Sequence, residues 1–319
     1  MTTKLSDKKI FKAASVKFIY IIYFIFTIQY LELDKMLRIG TCSWKYDSWK
    51  GIVYPDKERF NYLEEYAKHF NTVEIDQWFW SLFEPKKVLL PDERVVQEYG
   101  DSVPDDFMFT IKAPNAVTLT HFYNKNKNEE LKLNPFFLST EVFEKYLETL
   151  KPIEKNIGII MFQFEYLNQQ KLSGLNEFID RVGSFIEKLD KKFVYGIEIR
   201  NPNYLNKNYF NFLEQNNLSM VFLQGYYMPP VWQLFDEYKD KIKLDTVIRL
   251  HGPDRSGIEK KTGGNWNLIV EPKDDELNKV VEIITYLNSK KVDLYVNVNN
   301  HFEGSAPLTI KKINSLINV

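Results

Sequence analysis

At 319 residues, 44% hydrophobic and 27% charged, the chain is long enough for one large core, and its composition excludes a disordered protein. With 42 Lys and Arg against 43 Asp and Glu, its net charge of −1 excludes a general polyanion coat and leaves only a local basic groove open to nucleic acid. The single cysteine, Cys42, cannot close an internal disulfide, which fits a reducing compartment and sets the cytoplasm as the expected location.

The chain opens with Lys4, Lys8, Lys9, Lys12 and Lys17 ahead of an apolar run from Phe18 to Ile28, the order of a signal peptide's charged and apolar regions. No small-x-small cleavage site follows. The run also falls short of the roughly 20 apolar residues that span a bilayer, unless Gln29 to Leu33 is included. Residues 1–36 therefore read as an extension: translated sequence ahead of a start at Met36, a disordered tail, or a membrane anchor over 18–33 that would tether the protein. Residues 37–319 read as one domain, because no Gly, Pro or Ser-rich linker divides them.

From Leu37 onward, short β-branched and aromatic runs alternate with stretches of helical periodicity, the sequence form of repeated βαβ units. The runs are Leu37 to Trp44, Thr72 to Phe79, Phe107 to Pro114, Gly158 to Phe164, Val194 to Arg200, Ser219 to Gly225, Thr246 to Gly252 and Asp293 to Asn300. Helical patterns lie between them, including Arg59 to Phe70, Leu138 to Leu150, Leu172 to Leu189, Asp275 to Lys290 and Pro307 to Ile317. Eight strands, each followed by a helix, predict an α/β fold, a single closed (β/α)8 TIM-type barrel, with a doubly wound open sheet as the alternative. Long βα connections follow strand one (Lys45 to Glu58), strand three (including the polar patch Asn124 to Lys132) and strand seven (Pro253 to Lys273). They predict a partial lid over the C-terminal mouth, where such barrels build their sites.

Sorting each strand by parity gives a polar inner face. Glu74 and Asp76 alternate with Val73 and Ile75, Glu198 and Arg200 with Ile197 and Ile199, Arg249 and His251 with Ile248 and Leu250, and Asn297 and Asn299 with Val296 and Val298. Lys112 and Gln163 close strands three and four. The inner face then carries Glu74, Asp76 and Glu198 against Lys112, Arg200 and Arg249, the balance that burial of charge requires.

With these residues placed, the chain resembles the YecE-like family, also called domain of unknown function 72. GTCSWKYDSWKGIVYP (Gly40 to Pro55) is similar to its opening signature, NTVEIDQWFW (Asn71 to Trp80) to its second strand and GIEIRNPNYL (Gly196 to Leu205) to its fifth. RLHG (Arg249 to Gly252) and VNVNNHFEGSAP (Val296 to Pro307) resemble its last two strands. The resemblance implies a β/α barrel and leaves the activity open. The chain departs from the family at Cys42 and Ser43, where Ser-Gly is usual, and at Asp76 to Trp80, where Asn-Ser-Thr-Phe-Tyr is usual.

The pocket residues suit an anion. Lys112, Arg200 and Arg249 bind phosphate or carboxylate, Arg through its bidentate fork, with Asp76, Gln163, Asn297, Asn299 and Asn300 fixing orientation and Trp44 and Tyr46 offering stacking. Glu198, Glu74 and His251 are the candidates for general acid/base chemistry. A divalent metal is disfavoured because three cations oppose it, and no motif implies another cofactor. Cys42 reads as a buried small residue unless His251 or His301 reaches it, KTGGNW (Lys261 to Trp266) as a turn, and His69 and His121 as surface residues. Two functions follow: an enzyme acting on a small phosphorylated or carboxylated substrate, or a non-catalytic barrel binding nucleic acid or an anionic metabolite. Oligomeric state is not readable.

Overall fold

The computed structural model of the chain describes residues 37–83, 85–123, 130–242 and 245–317. The N-terminal extension, with its apolar run, and residues 124–129 of the polar patch lie outside the described residues. Eight parallel strands close into a barrel: β1 (Leu37–Cys42), β2 (Thr72–Ile75), β3 (Met108–Lys112), β4 (Ile157–Gln163), β5 (Val194–Glu198), β6 (Ser219–Gly225), β7 (Thr246–Gly252) and β8 (Leu294–Val298). β8 pairs back onto β1 with Leu37 opposite Leu294 and Thr41 opposite Val298, so the sheet has no free edge and the open-sheet alternative is overturned.

Six of the eight strands stop earlier than their sequence pattern, and three of these stops bear on the site. β2 ends at Ile75, one residue beyond its last pairing with β1 (Cys42 opposite Glu74). Asp76 opens a short 3₁₀ turn, Gln77–Phe79, instead of continuing the strand. β5 stops at Glu198 and β8 at Val298, which places Arg200, Asn299 and Asn300 on the loops just beyond. Helices also begin inside their apolar patterns, where a capping side chain takes the orphan amides of the first turn. Asn61 accepts from the Leu63 and Glu64 amides and starts the helix at Tyr62; Ser139 accepts from Val142 and starts the next pattern at Thr140.

The barrel interior has two storeys. The lower one is apolar, with Ile159, Met161, Val247 and Tyr295 packed together. Gly158 makes room there, since a Cβ at this position would lie 2.4 Å from the Tyr295 hydroxyl oxygen. The upper storey, at the C-terminal ends of the strands, carries the charged residues.

The connections after β1 and β7 are packed more closely than a mobile lid would be. Lys45 to Glu58 folds around Trp49, which is fully buried against Tyr46 and Tyr54. Pro253 to Lys273 contains a helix, Arg255–Thr262, that ends on Gly263 in the left-handed region, so KTGGNW does form a turn. Among the described residues no helix is long and apolar enough to cross a membrane.

Candidate functional site

Arg249 organises the upper storey. It is 2% exposed, and its Nε and Nη2 donate to Glu74 Oε2 and Oε1 at 2.8 and 2.6 Å. Its Nη1 donates to Glu198 Oε2 and, at 3.2 Å, to Gln163 Oε1. Arg200 donates from Nη2 to the same Gln163 oxygen at 3.2 Å, and its Nε lies 2.7 Å from Glu198 Oε1 at an angle too oblique for a hydrogen bond. Asn297 completes the set, donating to Glu74 Oε2 at 3.1 Å and to Thr110 Oγ1 at 2.9 Å. Strand alternation thus brings Glu74, Gln163, Glu198, Arg249 and Asn297 together as the sequence predicts.

The electrostatics of this network are settled by pairing. Burial opposes the charge on Glu198, but Arg200 and then Arg249 outweigh it and hold its carboxyl below the usual range. Burial likewise opposes the Arg249 charge, and Glu198 and Glu74 more than compensate, raising its pKa well above the ordinary arginine value.

Around this fixed centre stand groups with free capacity. Lys112 is 9% exposed, with Nζ 4.0 Å from the centroid of the Phe79 ring. Burial and then Arg249 push its pKa down, against Glu74, Glu198 and Asp76. Asp76 is half-buried, and burial and then Glu74 push its pKa up, against Lys112 and Arg249.

His251 lies between two partners, its Nε2 3.6 Å from Cys42 Sγ and its Nδ1 3.3 Å from the Tyr226 hydroxyl. Burial, reinforced by Arg249, Arg200 and Lys112, drives its pKa well below the usual value, so the ring is neutral at pH 7. Cys42 is buried as expected, but it is within reach of His251 and 3.6 Å from Glu74 Oε2; burial and Glu74 keep it a thiol. The adjoining Ser43 takes a left-handed φ of 75°, at the position where the resembled family usually has Gly.

Tyr226 was not singled out in the sequence. It follows β6 in a loop without periodicity, takes a φ of 53°, and presents its ring 4.6 Å from the Arg200 guanidinium carbon. Thr110, two residues before Lys112 on the same strand face, follows from the parity rule but carries no charge to mark it in the sequence.

Several candidates have other employment. Trp44 is 5% exposed, packs edge-on to Tyr99 at 5.1 Å and accepts the Tyr54 hydroxyl at its carbonyl, so it is core and not a stacking platform. Asn299 Oδ1 accepts from the His301 amide and Asn300 Oδ1 from the Ala306 amide, each at 2.9 Å, which spends both carbonyls on shaping the loop after β8. Tyr46 remains at the mouth, half-buried, with its phenol pKa raised by burial and by Asp76. His69 is exposed as expected. His121 is not a surface residue: it is 7% exposed, with Nδ1 2.9 Å from Thr120 Oγ1, because its loop folds back and pairs with Leu133.

Among the described residues, no group of three His, Cys, Asp or Glu is arranged to hold a metal ion. Open depressions of about 550 and 570 Å³ lie at the opposite end of the barrel, one lined by residues including Arg38, His69 and Asp106, the other by residues including Lys151, Lys192 and Val194. Neither includes a residue of the charged network.

Residues 38–319 match the family model described as "Protein of unknown function DUF72". The UPF0759 protein YecE of Escherichia coli K12 is 26% identical over 173 residues, 54% of this chain and 51% of that protein. The chain thus spans about half the length of the curated relatives it matches. A DUF72 family protein from Enterococcus faecalis has the same fold at 19% identity, with a TM-score of 0.63 over 89% of this chain and 96% of its own. One from Thermotoga maritima does so at 20% identity, with a TM-score of 0.59 over 89% of this chain and 100% of its own.

Proposed function

The chain belongs to the DUF72 family, of unknown function, and we propose that its barrel mouth is the active site of an enzyme acting on a small substrate that carries a phosphate or carboxylate. The observation that carries this reading is the placement of His251 at a strand end, its two ring nitrogens facing Cys42 and Tyr226, in the same mouth as Arg200, which has N–H donors to spare. Arg200 takes the anionic group, since it keeps N–H donors beyond those facing Glu198 and Gln163. His251 relays the proton, because its unprotonated ring has an acceptor nitrogen at working pH and its partners Cys42 and Tyr226 set the orientation of the ring. Asp76, whose pKa burial raises, supplies the complementary acid. In this reading Glu74 and Glu198 act as counter-charges: Glu74 takes two donors of Arg249, and Glu198 faces both Arg249 and Arg200, which makes it a poor base.

The test is thermal unfolding of the full chain against inorganic phosphate, phosphosugars and organic acids. A binder present at a hundred times its dissociation constant adds about 2.7 kcal/mol to stability. We expect stabilisation by at least one anionic class, its loss in Arg200→Met, and its retention in His251→Asn with loss of turnover of that compound. Absence of any anion effect, or an effect indifferent to Arg200, overturns the reading.

A further inference from the structure

Lys112 is the one buried lysine among the described residues, and among them no hydrogen bond or ion pair engages its Nζ. This is unusual within a cluster whose other buried charges are paired. Glu74 and Glu198 are both turned onto Arg249, so the carboxylates nearest in the network are already committed. One side of Nζ faces the Phe79 ring, which removes water from the amine without offering an acceptor lone pair. The residue closes β3 on the inner face, where its flexible stem ends in the mouth. A permanent positive charge, Arg249, stands nearby, and the acid-bearing Asp76 belongs to the same electrostatic neighbourhood.

From this placement we propose that Lys112 is a nucleophile that captures the carbonyl carbon of an aldehyde or ketone bearing an anionic group, forming an imine. The inference deepens the reading of the mouth as an anion site and rests on it for orientation: Arg200 holds the anionic group while the carbonyl meets Nζ. The neutral amine's lone pair attacks the carbonyl carbon, a C–N bond forms, and the C=O π pair moves to oxygen. A proton passes from nitrogen to that oxygen, giving a carbinolamine. The hydroxyl then leaves as water on protonation by the Asp76 carboxyl, the nitrogen lone pair closes the C=N bond, and the resulting iminium returns its N–H proton to the Asp76 carboxylate. Amine and carbonyl thus become imine and water, with no oxidant or reductant required. Burial and the Arg249 charge lower the Lys112 pKa and so favour the free amine, the condition that such lysines need near neutrality.

The experiment incubates the full chain at pH 7 with pyruvate or glyceraldehyde 3-phosphate, and separately with acetone or glyceraldehyde, each with cyanoborohydride. Adducts are then located by peptide mapping. The expected result is a saturable adduct on Lys112 with the anionic carbonyls, at least about tenfold faster than on any exposed lysine. It should be absent in Lys112→Arg, which keeps charge and length, and in Lys112→Met. Labelling spread evenly over surface lysines, or an adduct that survives Lys112→Arg, overturns the proposal. The two readings fail separately. Stabilisation of the parent by phosphate with no adduct on Lys112 sinks the imine and leaves the anion site. Equal, saturable capture of acetone and pyruvate on Lys112 keeps the imine and sinks the anion site.

Discussion

Arg249 is the residue on which the upper storey depends electrostatically, because two fully buried carboxylates share its guanidinium. Arg249→Met should lose about 3–5 kcal/mol in denaturant unfolding, since it strands Glu74 and Glu198 without their shared partner. Combining it with Glu74→Gln and Glu198→Gln should recover much of that loss; a single substitution costing under about 1 kcal/mol would show that the network is not what holds this region. A second residue-scale effect lies at the far end of the barrel. Burial, with help from Asp293 and against Arg38, pushes the Asp245 carboxyl up to about 6 from an ordinary 3.8. The folded state therefore binds a proton that the unfolded state releases at lower pH, and stability falls as pH rises from about 4 to about 6 and stays lower above it. Discounted for the residue's partial exposure, the effect is about 1 kcal/mol, and Asp245→Asn should be more stable than the parent by that amount at pH 8 and equal to it at pH 3, by urea unfolding at both values.

Between elements, the mouth loops are tied by buried asparagine side chains, which the sequence shows only as polar residues in loops. Asn201, after β5, accepts from the Leu167 amide at 2.8 Å and donates to the Leu167 carbonyl at 2.9 Å, clamping the loop after β4. Asn115 Oδ1 accepts from the Ser81 amide and hydroxyl and from the Leu82 amide, and Asn134 donates to the carbonyls of Ala116 and Leu119. Asn201→Ala should cost about 2 kcal/mol, the sum for two buried hydrogen bonds, and amide exchange should rise at Leu167 before the barrel strands are affected. Unchanged protection there would show that the clamp is incidental. Helix and strand existence was legible from period alone, whereas element ends were not: Asn61 and Ser139 start their helices by capping, and Asp76 leaves the strand to open the 3₁₀ turn Gln77–Phe79.

At the scale of the molecule, a net charge of −1 and a mouth in which cations and acids balance favour a small anion over a polyanion. Phosphate stabilisation should therefore change little between about 50 and about 200 mM salt, because a buried contact is weakly screened. A fall in affinity of about a thousandfold over that range would instead indicate many phosphate contacts and the nucleic-acid reading. The two-storey interior gives the fold its division of labour. Apolar packing around Tyr295 closes the lower half, which lets the upper half carry charge without leaving the core undefined.

Alternation along each strand is a local property, so the eight strands, their inner faces and the presence of Glu74, Lys112, Gln163, Glu198, Arg249, His251 and Asn297 on those faces could be read from residue order. Partnership is a property of closure. Only the barrel's register decides that Arg249 takes both carboxylates while Lys112 takes none, that Trp44 and Trp49 are packing, and that Asn299 and Asn300 serve the backbone. Those choices are made by distances between strands far apart in the chain, where burial makes each unpaired charge costly and a shift of one residue would exchange the faces.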